Sequence, residues 1–421
     1  MVHPRSRHLH ERWFGRAIAA PLSAAMFLAI PWQVALVVVT MVWLAVWIAV
    51  KRGFDLVAKE VPALRRGPAR LYGWAANATL ASPESAPYLA TIVGLGIYVP
   101  ALLGLSVWYQ IRIAGVGSGG HVNWVAVFVY QALWLGPNHL FFAHVATLIH
   151  HLGHQRNAFK PWFRPIGNFI VGMLGVFYGH VPGNYPIGHV RIHHKFDNGP
   201  EDLTSTMALD RGSFSGWLRY RQQFILFWSG VSVVRYFLQR KRADAAWIQA
   251  RGMLIFYGLI FAVTFWNWEI GFAYLILPHI IIINFISAIN FTWHMFIDPK
   301  DPGNVYTNSI CILEAQQDVW NEAHHISHHA LPQAPWSRMP DHFRDKRDEY
   351  MANRANIFRD TQVFEIFVLC LAGRVDKLAE RFVDLGGTLS REEVIALLRE
   401  RLRPVPPVPA SHGDAAVELA A

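Results

Sequence analysis

The stretch MLIFYGLIFAVTFWNWEIGFAYLILPHIIIINFISAINFTWHMFI, residues 253–297, decides the fold class. It runs for 45 residues with Glu269 as its single charged residue. A helix that crosses a bilayer needs about 20 apolar residues. The stretch therefore predicts a hairpin of two spans, turning between Asn267 and Gly271.

Three uncharged stretches precede it. Residues 88–111 and 113–155 predict a second hairpin, turning at the glycine-rich run 115–120. Residues 17–50 are long for one upright span and short for two. Arg5, Arg7, Arg12 and Arg16 lie before that stretch; Lys51, Arg52, Lys59, Arg65, Arg66 and Arg70 lie after it. Basic flanks stay in the cytoplasm, which favours a third hairpin over a single tilted helix. Residues 166–180 and 224–238 are shorter and read as helices lying in the membrane interface.

Composition agrees. The 421 residues are 53% hydrophobic and 16% charged, well below the roughly 25% charge of a soluble domain. Such a chain is not disordered. Two cysteines, Cys311 and Cys370, are too few for a disulfide scaffold. The net charge of +9 fits loops facing anionic lipid, and no nucleic-acid motif accompanies it. The fold class is an all-α integral membrane protein, built of transmembrane hairpins that carry a helical cap on the cytoplasmic face. The expected divisions are 1–87 (first hairpin and basic loop), 88–335 (membrane domain), 336–403 (cytoplasmic helical region) and 404–421 (disordered tail). In the third of these, Ser390 and Glu393 form a capping box opening a helix to about Arg401.

Fifteen of the 21 histidines lie between His139 and His329, and ten of these fall in three bunches. LIHHLGHQRN holds His150 and His154, four apart on one helix face. GHVRIHHKFDN holds His189, His193 and His194. NEAHHISHHALP holds His324, His325, His328 and His329. Neighbours on a helix point about 100° apart, so His193 and His194 can serve two adjacent metal ions. Imidazole suits zinc, copper, iron or nickel, and eight or more converging imidazoles exceed what one tetrahedral zinc takes. The HExxH protease motif is absent. With the hairpins drawn as above, the three bunches meet on one membrane face. His3, His8, His10, His342 and His412 read as surface residues, and His139, His144 and His279 as structural ones. His180 is open to either role. Asp197, Glu201, Asp202, Asp318 and Glu322 stand near enough to hold the far ring nitrogen of a ligating histidine, although Pro200-Glu201-Asp202 also looks like a helix start.

The three bunches resemble the histidine boxes of the membrane fatty acid desaturase superfamily, which includes related hydroxylases: HX(3–4)H, HX(2–3)HH and (H/Q)X(2–3)HH. The resemblance covers roughly residues 88–332. It implies His150, His154, His189, His193, His194, His325, His328 and His329 as ligands of two iron ions, with O2 as co-substrate. Asn290-Phe-Thr-Trp-His294 is similar to an Asn-x-x-x-His of stearoyl-CoA-type desaturases. It implies His294 as a ninth ligand and Asn290 as an outer or water-linked one. Asn321 and Pro332 match a third-box pattern of sphingolipid and some acyl desaturases. The first box lacks the acidic residue often found after its first histidine, so His151 is an alternative to His154. His324 is an alternative to His325.

Abstraction of hydrogen from an unactivated methylene exceeds what side chains can do and needs a metal cofactor. The expected activity is O2-dependent desaturation of a fatty acyl chain carried on a lipid, on CoA or on a carrier protein. Its closest rival is an alkyl, lipid or carotenoid hydroxylase or ketolase using the same site. A metal transporter or haem electron carrier is the rival of another class, but transporters place ligands near the midplane, whereas these histidines sit at span ends. Trp134, Phe141, Phe177 and Tyr178 are candidate channel lining, with core packing as the alternative. No His-Pro-Gly-Gly haem motif and no ferredoxin cysteine set is present. The resemblance thus implies a separate electron donor of ferredoxin, rubredoxin or cytochrome b5 type with its reductase.

Overall fold

A computed structural model describes residues 63–405, apart from Arg156. The stretch 17–50 and the tail beyond 405 lie outside the described residues. Helix α1 (Ala63–Thr79) leads into α2 (Ala86–Arg112), whose 27 residues are apolar enough to span. The chain then turns through Gly115, Gly117 and Gly119, all at positive φ, as the glycine-rich run predicts. Next come α3 (Trp124–Leu135) and α4 (Leu140–His154), bent by 51° relative to each other. The expected span over 113–155 is thus broken. Gly136, at φ +75°, adopts a conformation open to glycine, and Pro137 cannot continue a helix hydrogen-bond ladder.

Helix α5 (Arg164–Phe177) is too short to span, and its Ile166 and Phe169 are exposed. The segment expected as one helix over 224–238 is two, α6 (Phe214–Trp228) and α7 (Val231–Gln239). Gly230, at φ +89°, separates them, and a Cβ there would stand 2.5 Å from Gln249 Nε2. Helices α8 (Ala243–Trp266) and α9 (Trp268–Trp293) form the predicted last hairpin. Asn267 caps α9 by accepting from the Ile270 N–H. Among the described residues, α2, α8 and α9 are long and apolar enough to cross a membrane, and the bent α3–α4 pair makes a fourth when it is counted as one span.

Beyond α9 the chain builds a cap. Strand β1 (Cys311–Leu313) pairs in parallel with β2 (Ile357–Arg359), the two-stranded exception to a helical fold. Helix α10 (His325–Ala330) follows β1; α11 (Val363–Leu371) and α12 (Arg391–Arg401) follow β2. The Ser390–Glu393 capping box forms as expected. The region after 336 is not a separate layer: Ile366, Phe367, Val394 and Leu398 share one buried core with Phe291 and Trp293 of α9.

One charged side chain knots this cap together. Arg211 is fully buried and donates to the carbonyls of Met295, Thr206, Met207, Leu209, Arg401 and Arg403. The last turn of α12 is thereby fastened to the segment just after α9. Asn356 repeats the device, donating to Phe296, Thr307 and Ser309 carbonyls while accepting from Arg401.

Candidate metal centre

Four elements deliver imidazoles to one spot at the ends of the spans. The last turn of α4 presents His150 and His154, whose ring centroids are 5.3 Å apart. A π-helical turn, Tyr185–His193, presents His189 and His193, and His194 directly follows it. Its wider winding sends the His194 N–H back to the His189 carbonyl, five residues earlier, so the two rings face each other. The residue just past α9 is His294, and α10 carries His325, His328 and His329.

The side chains form two adjoining all-histidine groups, and His150, His151 and Glu322 make a third set close enough to share an ion. His150, His154, His189, His194 and His328 can bring one ligand atom each within 4.8 Å of all the others, and so can His193, His294 and His329. His325 adjoins the second group, its ring centroid 4.8 Å from that of His329. His193 and His194 thus diverge into separate groups. In the first group, His194 Nε2 lies 3.0 Å from the Nε2 atoms of His189 and His328. Two nitrogens at right angles on one metal, each about 2.1 Å from it, stand about 3.0 Å apart.

Hydrogen bonds orient the rings. His193 Nδ1 meets Asp202 Oδ2 at 2.7 Å, His329 Nδ1 meets Asp197 Oδ1 at 2.7 Å, and His294 Nδ1 meets the Asn308 carbonyl at 2.8 Å. Glu322 lies 3.1 Å from His150 Nδ1 and 3.3 Å from His325 Nδ1. With Nδ1–H donated by His150, His193 and His294, Nε2 of each is left as a lone pair; His325 and His329 only lie beside their carboxylates, off hydrogen-bond geometry. The Nε2 atoms of His150, His154, His193, His294, His325 and His329 are buried without a partner. A buried polar atom left alone is costly, and a row of them aimed at one spot is what metal ligation resolves. Burial also holds the imidazoles of His189, His194, His294, His328 and His329 well below the ordinary range, with their neighbouring histidines adding to the effect. They are therefore neutral, as ligation requires. Burial alone would raise the Glu322 carboxyl, but His150, His151 and His325 hold it well below the usual range.

Other candidates fall elsewhere. His151 is committed, with Nδ1 on the Tyr88 hydroxyl and Nε2 on Glu322. His324 sits by Cys311 Sγ and Phe343. His180 is buried against Tyr185 and Trp228, outside both groups. Asn290 donates to the Tyr220 hydroxyl, and Asp318 accepts from the Ala323 N–H. Glu201 pairs with Arg240 on the surface. No helix begins at Pro200; the chain turns there so that Asp202 can reach His193, also accepting from Thr204. Sequence reading missed Asn308, Tyr88 and Thr206, whose hydroxyl donates to the His294 carbonyl.

A cavity of about 160 Å³ opens beside the histidines. His150, His189, His193 and His325 form one wall, and Phe142, Phe224, Phe227, Trp228, Ile286 and Ile289 form apolar ones. Of the aromatics suggested as lining, Trp134 and Tyr178 instead stack on each other in the core, 5.0 Å apart.

The family model described as Fatty acid desaturase matches residues 122–360, more than half of the chain, and that segment holds every histidine of both groups. Comparison with curated proteins and with solved structures returned no match.

Proposed function

This chain belongs to the fatty acid desaturase family, and on that premise we propose that it is an O2-dependent di-iron membrane enzyme that introduces a double bond into a fatty acyl chain. The observation that carries this reading is the set of six buried, unpartnered Nε2 atoms, with a hydrogen-bond acceptor on Nδ1 of His150, His193 and His294 and a carboxylate beside Nδ1 of His325 and His329. His150, His154, His189, His194 and His328 would hold one ion; His193, His294, His329 and the adjoining His325 the other. Two irons there would supply, from O2, the oxidising power that an unactivated methylene demands.

The remaining tasks belong to the chain. Asp202, Glu322 and the Asn308 carbonyl fix the tautomer and angle of His193, His150 and His294, and Asp197 stands beside His329. The apolar walls exclude water and hold one stretch of acyl chain against the His150–His189–His193 face. The acyl carrier is a lipid, CoA or a carrier protein, and electrons come from a separate ferredoxin, rubredoxin or cytochrome b5 with its reductase. The basic flanks of the spans favour a cytoplasmic centre.

The test is a mass-spectrometric lipid profile of cells expressing the chain, against a His193→Ala control. Products lighter by two hydrogens and absent from the control are expected. Products heavier by one oxygen would overturn desaturation and assign a hydroxylase.

A further inference from the structure

We propose that Trp320, Tyr88, His151 and Glu322 form the route by which single electrons from an external donor reach the metal centre. The proposal rests on the di-iron reading above. Tyr88 is fully buried at the start of α2, and its hydroxyl lies 2.9 Å from His151 Nδ1. His151 Nε2 lies 3.2 Å from Glu322. One proton arrangement satisfies the chain: Tyr88 O–H donates to Nδ1, and Nε2–H donates to the carboxylate. Glu322 also accepts from His150 of the first group and lies 3.3 Å from His325 Nδ1 beside the second. The chain of contacts thus ends on both halves of the centre.

Its other end reaches the surface. The Tyr88 ring stands edge-on to Trp320, centroids 4.8 Å apart, and Trp320 is partly exposed. The backbone is bent to achieve this. Trp320 and Asn321 are both left-handed, at φ +53° and +58°, a conformation that bulky residues rarely adopt. Such strain persists where the surroundings over-determine it, and it clusters at working sites. Here it lets Trp320 lie on Tyr88 while Glu322, two residues on, faces the imidazoles. Asn321 secures the bend by donating to the Trp336 carbonyl.

Rings in contact and hydrogen bonds carry an electron across a protein better than aliphatic gaps do. For each electron, a one-electron donor at the surface is oxidised and one ferric ion is reduced to ferrous. No bond in the four residues forms or breaks, and their protons stay in place.

The chain's two cysteines are buried, so one exposed cysteine takes a ruthenium photosensitiser selectively. Arg338→Cys places it at an exposed position two residues after Trp336, and Lys300→Cys places it away from the route, on the turn after His294. Flash-driven reduction of the ferric centre is followed by absorbance in the iron-loaded protein. From position 338, Trp320→Leu should slow reduction roughly tenfold and Tyr88→Phe several-fold, while reduction from position 300 stays unchanged. Trp320→Phe replaces the leucine variant where that one does not fold. Unchanged rates from 338, or equal slowing from both positions, would overturn the route. Failure of wild-type protein to hold two irons would instead indict the functional reading.

Discussion

The two halves of the metal centre are built differently. The second group is held by its surroundings: His193 and His294 bond a protein oxygen through Nδ1, and His329 Nδ1 lies 2.7 Å from the Asp197 carboxylate. In the first group, among the described residues, His150 is the one member that bonds a carboxylate. His154, His189, His194 and His328 mainly contact one another, with ring centroids 4.3–5.3 Å apart. The second half is thus arranged before a metal arrives. The first half would take its final angles from ligation. Pre-arrangement by hydrogen bonds and definition by ligation are two solutions to one geometric problem, here placed side by side.

Single-ligand changes probe this difference most strongly. His194→Ala should abolish product and lower iron from two toward one per chain, and His193→Ala should do the same for the other ion. Elemental analysis of both variants checks it, and loss of both ions from either would show that the halves are one unit. Next in size is Asp202→Asn, which frees the His193 ring. It should weaken one of the two ferrous sites by about 10–100-fold and leave the other alone. Glu322→Gln touches both groups and should weaken both. Ferrous titration of the two variants decides between these patterns.

The smallest effect is that of pH on the metal-free protein. Burial holds five of these imidazoles well below their unfolded value of 6.5. The unfolded chain then binds more protons than the folded one below about pH 6.5, and stability falls as pH falls. The midpoint of thermal unfolding should drop between pH 7.5 and 5.5 in the metal-free protein. The drop should be at least as large in the iron-loaded one, because ligation likewise keeps the folded imidazoles unprotonated. No drop in the metal-free protein would mean that the imidazoles are already charged in the fold.

Much of this was legible in the sequence because it is periodic or local. Uncharged runs mark α2, α8 and α9, and the spacing of His150–His154 and His189–His193–His194 places those rings without any tertiary knowledge. The break at Gly136–Pro137 hid inside an uncharged run, because hydropathy averages over a residue whose φ is positive. Asp202 stays open in the sequence between holding a histidine and starting a helix, because Pro-Glu-Asp has the second signature, while its actual partner, His193, is set by a turn. Tyr88 meets His151 across 63 positions and Arg211 meets Arg401 across 190. Neither contact leaves a pattern in the intervening residues.

The Arg211 knot sets an order of events during biosynthesis. The segment after His294 is secured by carbonyls of Arg401 and Arg403, about a hundred residues later, or roughly 5–20 s of translation. The spans are already in the bilayer when that part of the chain is made. Until it docks, the second half of the centre lacks its brace. The protein is thus inserted into the membrane first and armed afterwards, and oxidative chemistry waits until most of the chain has been made.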